Sequence, residues 1–99
     1  MTNELYKEII AAVVEDIENV DIENYWQHET TLWSESENGK FYRVVYDVLS
    51  ADLYEDRESN YRECTYRVQV TKVLAWDGQN QKHISIEFDR KRLLIEGVC

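Results

Sequence analysis

The side chains that most often carry out catalysis or bind metals are sparse in this chain of 99 residues. His28 and His83 are its two histidines, and neither lies in the His-x-x-x-His or Cys-x-x-Cys spacing that would hold zinc. Cys64 lies within a strand-like pattern, where a small buried side chain is a more common role than a nucleophile. We therefore expect no metal site, no cofactor and no enzymatic activity.

Signatures of phosphate binding and acid–base catalysis are also missing from the sequence. Gly39, Gly78 and Gly97 are isolated from one another, so no glycine-rich loop can surround a phosphate. Adjacent carboxylates such as Glu15 and Asp16 lie among other charged residues, whereas a general acid needs a desolvated pocket. A small-ligand site or an active site within a curved sheet, lined by the histidines or tyrosines, stays an alternative.

Acidic side chains are unevenly distributed along the chain. Asp and Glu number 20 and Lys and Arg number 11, so that the formal net charge is −9. Residues 1–39 hold ten acids and one base, whereas residues 40–99 hold ten of each. Because clustered bases attract DNA, RNA and anionic membranes, we expect no direct binding to nucleic acid or to a membrane.

The acids of the first segment form a candidate binding surface. A helix over residues 3–19 would carry one lysine among its acids, instead of the Glu–Lys pairs that are usual on solvated helices. Such a surface favours a basic protein partner and could occupy that partner's nucleic-acid-binding site. Our functional hypothesis is a phage or mobile-element inhibitor of a host defence protein, as anti-CRISPR proteins are. The predicted contact residues are Glu4, Glu8, Glu15, Asp16, Glu18, Asp21 and Glu23.

Hydrophobic periodicity predicts the elements that would position these residues. Residues 3–19 have the period of a helix with one broad apolar side, and the period changes to two beyond residue 24. Asn38-Gly39 is the strongest hairpin signal in the chain. The tail over residues 90–99 fits either a fifth strand or a short helix. Four strands are predicted, over residues 25–35, 40–54, 61–76 and 83–89.

The same alternation predicts how the third and fourth strands pair. The apolar residues of both strands, such as Leu74 and Ile84, have even numbers. Two residues that pair across neighbouring strands point to the same side of the sheet. Each pair should therefore join two even-numbered or two odd-numbered residues, and the two residue numbers should add up to an even total. A two-residue loop at Asp77-Gly78 would make that total odd, and we therefore expect a three- or five-residue connection with a bulge.

One helix followed by four to five antiparallel strands predicts a single α+β domain over residues 1–99. The amphipathic helix would pack on one face of a twisted meander. This order resembles the architecture of cystatin-like folds, in which a sheet curls around a helix, although the chain carries no sequence motif of that family.

A single helix covers one face of such a sheet, and the second predicted strand is apolar on both faces. The other face would be covered by the tail, by a second copy of the chain or by another protein. The alternative hypothesis is that the chain homodimerises through this face and functions as a structural or accessory subunit. The residues predicted for this apolar face are Trp26, Leu32, Phe41, Val45 and Leu49.

The N-terminal segment predicts neither a signal peptide nor a membrane span. Its longest apolar run is six residues, over residues 9–14, and no basic segment precedes it. Secreted domains of this size often carry four or more cysteines, whereas this chain has two. We therefore expect a cytoplasmic protein.

Overall fold

The computed structural model describes residues 1–19 and 26–98, except for the side chains of Leu53 and Arg62. The helix and strands follow the predicted order. The elements are the helix α1 (Asn3–Asn19), the strands β1 (Gln27–Ser34), β2 (Lys40–Asp56), β3 (Tyr61–Asp77) and β4 (Lys82–Ser85), a 3₁₀ turn (Arg90–Leu93) and the strand β5 (Leu94–Val98).

All five strands form one antiparallel sheet in the order β1-β2-β3-β4, with β5 paired to another part of β3. β2 and β3 are 17 residues each and form the long central hairpin. β4 pairs with the C-terminal end of β3 and β5 with its N-terminal part, so both lie along the same edge of β3. The predicted α+β fold, a helix on a curled antiparallel sheet, is confirmed.

The hydrophobic core lies between α1 and the face of the sheet that we call the inner face. Thr2 caps the helix, because its Oγ1 accepts a hydrogen bond from the Leu5 N–H at 3.2 Å. Apolar residues three and four apart then bring one side of α1 onto the sheet. The buried residues of α1 are Leu5, Tyr6, Ile9, Val13 and Ile17, and those of β2 are Tyr42, Val44, Tyr46 and Val48.

A β-bulge at Thr71 changes which residues of β3 point into the core. Val45 pairs with Lys72 and Tyr46 pairs with Val70, which leaves Thr71 as an extra residue between them. The Thr71 hydroxyl donates a hydrogen bond to the Val45 carbonyl oxygen at 3.3 Å. As a result, the buried positions of β3 are even-numbered before the bulge and odd-numbered after it.

This bulge makes the predicted pairing of the third and fourth strands wrong. Leu74 does not face the core with Ile84; instead Ala75 pairs with Ile84, and Leu74 pairs with Ser85. The residue numbers of each pair therefore add up to an odd total. The connection between the two strands, after Asp77, has four residues. Alternation alone could not show the change, because residues 73 to 76 are all apolar.

The tail combines both of the predicted alternatives, a short helical turn followed by a strand. Leu93 at the end of the turn and Ile95 of β5 are buried in the core, so the tail extends the inner layer. β5 lies in the plane of the sheet and does not cover its other face. Among the described residues, no helix has the length and apolar character that a membrane span requires.

Candidate binding surfaces

Glu8 is one of the predicted contact acids, and its carboxylate is already occupied. It accepts hydrogen bonds from the hydroxyls of Ser36 and Ser34 (2.9 Å for Ser34) and from the Glu35 backbone N–H at 3.0 Å. The Ser36 hydroxyl lowers the pKa of Glu8 most, with Ser34 and Glu35 adding to it against the opposing effect of partial burial. Glu8 therefore holds α1 onto the turn between β1 and β2.

Asp16, in the C-terminal half of α1, also has a structural role. Its carboxylate accepts a hydrogen bond from the Tyr46 hydroxyl at 2.6 Å. Burial of the phenol, together with this carboxylate, raises the pKa of Tyr46, so that the hydroxyl stays protonated as a donor. The His28 ring stacks on the Tyr46 ring, with centroids 5.4 Å apart. Asp16 thus links α1 to β2.

The remaining acids of α1 are Glu4, Glu15 and Glu18, which we call the acidic helix surface. All three are exposed, and none forms an ion pair with another described residue. Glu4 and Glu15 lie on the same side of the helix and about 16 Å apart along its axis, with Glu18 one turn beyond Glu15. The other two predicted contact acids, Asp21 and Glu23, lie outside the described residues.

The turn between β1 and β2 adds acids to this side of the molecule. The hydrogen bonds of Glu8 hold the turn against α1, and the Thr2 hydroxyl donates to Glu37 at 3.4 Å. Glu35 and Glu37 belong to this turn, which therefore brings two more acids to the α1 side of the molecule. The sequence did not predict their place on this side, because it depends on a contact between α1 and the turn.

The face of the sheet opposite α1, which we call the outer face, carries aromatic rings on four adjacent strands. Trp33 of β1 pairs with Phe41 of β2, and their ring centroids are 4.8 Å apart. Trp76 of β3 pairs with His83 of β4, with ring centroids 5.0 Å apart in an edge-on arrangement. The register of β2 and β3 brings Phe41 beside Trp76, so these four rings form one aromatic row.

The exposure of the tryptophans is unusual for this residue type. Trp26 is 76% exposed, Trp33 is 70% exposed and Trp76 is 40% exposed, and these are all the tryptophans of the chain. Tryptophan is highly buried on average in folded proteins, and exposed clusters of large apolar side chains mark interaction sites. Trp33 and Trp76 belong to the aromatic row, whereas Trp26 precedes β1 and lies outside it.

The charges of the outer face around the aromatic row balance one another. Arg43 forms an ion pair with Glu29, and its guanidinium lowers the pKa of that carboxyl. Asp47 and Lys72 add one further charge of each sign on the neighbouring positions of β2 and β3. This part of the outer face therefore carries two acids and two bases, in a chain whose net charge is −9.

Not all of the residues predicted for the apolar face lie on it. Phe41 and Val45 do, and Leu49 is a bulged residue of β2 that is half exposed. Leu32 lies on the inner face instead, where it pairs with Tyr42 and packs against the core. The sequence did not predict Trp33, Trp76 and His83 as members of this face, because their positions depend on the strand register and, for Trp76 and His83, on the Thr71 bulge.

The side chains that suggested a ligand site do not come together. His28 lies on the inner face against Tyr46, and His83 lies on the outer face against Trp76, so the two histidines cannot share one site. The Nδ1 atom of His83 is buried and has no hydrogen-bond partner. Within the described ranges, no three His, Cys, Asp or Glu side chains are placed to share a metal ion.

Cys64 is half-buried on β3 and offers no free thiol in this structure. The expected cytoplasmic location stays a prediction.

No protein-family model, curated protein or solved structure matches this chain. The acidic helix surface and the aromatic row, which lie on opposite sides of the sheet, are thus the features from which a functional proposal has to start.

Proposed function

We propose that this protein is a non-enzymatic binding module whose acidic helix surface contacts a basic surface of another protein. The observation that supports this is the exposure of Glu4, Glu15 and Glu18 along one side of α1, with no cation paired to them among the described residues. A solvated helix face is usually neutralised by lysines three or four residues away. Here Lys7 is the single base of the helix.

Electrostatic attraction would speed up the association of this surface with a basic partner and would make the surface selective for such partners. A protein with a net charge of −9 attracts a basic partner over distances of about 10 Å at 0.1 M salt, and the attraction weakens as salt is added. A partner that binds nucleic acid presents lysines and arginines arranged for phosphates, and carboxylates on a helix can occupy them instead. The finer proposal is therefore an inhibitor that competes with nucleic acid for such a site on a host defence protein.

Glu8 and Asp16 are not part of the proposed contact, although the sequence placed them there. Their carboxylates accept hydrogen bonds from Ser34, Ser36 and Tyr46, and these bonds position α1 on the sheet. Reversing their charge would disturb the fold together with any binding. A decisive test must therefore be limited to the exposed acids.

We expect the Glu15→Lys/Glu18→Lys variant to bind the partner at least about tenfold more weakly than wild type, because two attractive contacts become repulsive. The partner is first captured from the native host with the wild-type protein, and its Kd is then measured by titration at low and high NaCl. The matched control is Glu58→Lys/Glu87→Lys, which changes the net charge equally at exposed positions outside α1.

The control variant should bind within about twofold of wild type at high salt, where long-range attraction is screened. Equal weakening by both variants would show that only total charge matters, and it would contradict a defined contact on α1. Binding that neither variant changes would contradict the proposal as a whole.

A further inference from the structure

We propose that the outer face of the sheet is the interface of a homodimer, centred on the aromatic row of Trp33, Phe41, Trp76 and His83. The row presents two tryptophans on adjacent pairs of strands, of which Trp33 is 70% exposed and Trp76 is 40% exposed. Tryptophans in this position are the residue type that contributes most to interface energies when a partner removes them from water.

Within residues 1–19 and 26–98, no element outside the sheet covers this face. The tail was one of three candidates for a cover, but Leu93 and Ile95 are buried in the core on the inner side. β5 pairs with residues 65–69 of β3, whereas the aromatic row crosses β3 at Trp76, near its other end. A second copy and a different protein are the remaining occupants.

The charge distribution favours the second copy. Two chains of net charge −9 repel each other wherever their acidic sides meet, so a surface without net charge is where they associate at the lowest electrostatic cost. The outer face around the aromatic row is such a surface, because the charges of Arg43 and Lys72 balance those of Glu29 and Asp47. A different, basic protein would gain most from the acidic helix surface on the opposite side and little from this face.

Self-association also fits the pattern of charges within the face. In a twofold interface the same surface is used by both copies, so each base on one copy can approach an acid on the other. Glu29 and Asp47 supply the acids, and Arg43 and Lys72 supply the bases. A face that carried one sign of charge could not be complementary to itself.

The size of the face predicts a weak dimer. Four strands spaced about 4.8 Å apart, each contributing seven residues that rise about 3.3 Å per residue, give a flat area of about 440 Å². Stable interfaces bury about 800 Å² per partner, so this face is about half the usual size. We therefore expect a dissociation constant in the micromolar range.

The dimer would have four layers, with the two sheets in the middle and a helix on each outside. Both acidic helix surfaces then stay accessible and face in opposite directions, so one dimer could engage two partner molecules. The dimer does not depend on the function proposed above, since its formation is measured on the purified protein alone.

Sedimentation equilibrium of the purified full chain at 5–200 µM tests this proposal. We expect wild type to be largely dimeric at the upper concentrations and the Trp33→Ser/Trp76→Ser variant to be monomeric throughout. Trp26→Ser is the matched control, because Trp26 is the most exposed tryptophan and lies outside the aromatic row. This control should dimerise as wild type does. Far-UV circular dichroism establishes that each variant is folded.

A second pair of variants tests the charge argument. Lys72→Glu leaves the outer face around the aromatic row with a net negative charge and should weaken the dimer at least about fivefold at low salt. Lys91→Glu makes the same change on the 3₁₀ turn and should leave the dimer unaffected. Wild type that is monomeric at 200 µM would overturn the proposal. Dimerisation that is lost in Trp26→Ser but kept in Trp33→Ser/Trp76→Ser would also overturn it.

Discussion

Glu8 and Glu15 are glutamates on the same helix, yet their surroundings give them different roles. Glu8 lies where the turn after β1 supplies two hydroxyls and a backbone N–H, so its carboxylate is a structural acceptor. The Glu15 side chain is exposed, and no described residue donates a hydrogen bond to its carboxylate. The helical spacing in the sequence correctly places both residues on one acidic face of α1. Their different roles follow from the contact between α1 and the turn.

The Glu8→Gln variant should lose the part of the stability that depends on its charge. The hydrogen bonds from Ser36 and Ser34 hold the folded pKa of Glu8 below the usual glutamate value of 4.5, so the ionised form stabilises the fold above that pH. This contribution disappears as the pH falls below 4.5 through the folded pKa. Thermal unfolding between pH 3 and 7 should therefore show a shallower acid decline of Tm in Glu8→Gln than in wild type.

The control for this measurement is Glu15→Gln, in which a carboxylate without such donors is neutralised. Its acid decline of Tm should be at least as steep as in wild type, because removing one of the mutually repelling helix acids does not weaken the fold at neutral pH. Parallel acid declines in wild type and Glu8→Gln would mean that the hydrogen bonds from Ser34, Ser36 and Glu35 do not stabilise the charged form in solution.

At the scale of elements, periodicity was a reliable guide where each strand had one apolar side. It predicted α1 over residues 3–19 and the four main strands to within a few residues, except that the fourth strand ends earlier than expected. It failed after Thr71, where consecutive apolar residues allow either face to be buried and the bulge decides between them. The aromatic row was missed for this reason, since it needs the correct register on β1, β3 and β4 at once.

The pairing of β5 with β3 depends on a close approach at Gly97. A Cβ atom at this position would overlap the phenol of Tyr66, which pairs with Gly97 and is buried. We expect Gly97→Ala to lower the free energy of unfolding by about 1–3 kcal/mol, as overpacking does. Urea denaturation followed by circular dichroism measures this loss. Gly78→Ala is the control, because a Cβ there meets only ordinary contact distances, and its effect should stay within about 0.5 kcal/mol.

A double-mutant cycle shows whether Tyr66 is the cause. In the Tyr66→Leu background, Gly97→Ala should cost at least about 0.5 kcal/mol less than in wild type, because the smaller side chain leaves room for the Cβ. Additive losses would place the strain in the backbone of β5 instead of in the contact with the phenol.

At the scale of the whole molecule, charge and apolar surface are separated onto two sides of one sheet. The acid-rich segment builds α1, β1 and the turn after β1, and the rest of the chain, which is neutral overall, builds most of the sheet. Counting residues was enough to find the first of these surfaces, since charge depends on composition. Finding the second required the fold, since an aromatic row exists only when distant positions are aligned.

This separation predicts how salt affects stability. The acids on the helix side repel one another, and ions screen that repulsion with a Debye length of about 10 Å at 0.1 M. Raising NaCl from 20 to 200 mM at one fixed protein concentration should therefore raise the wild-type Tm by about 4 °C. Differential scanning calorimetry measures this shift.

The charge variants locate the repulsion within the molecule. Glu15→Lys/Glu18→Lys replaces repulsive pairs on the helix side with attractive ones, so its Tm should respond to salt much less than that of wild type. Glu58→Lys/Glu87→Lys changes the net charge equally but lies in the neutral part of the chain, and it should keep most of the wild-type response. Equal responses in the two variants would mean that the repulsion is spread over the whole surface. In that case the acidic helix surface would have no special charge density with which to attract a basic partner.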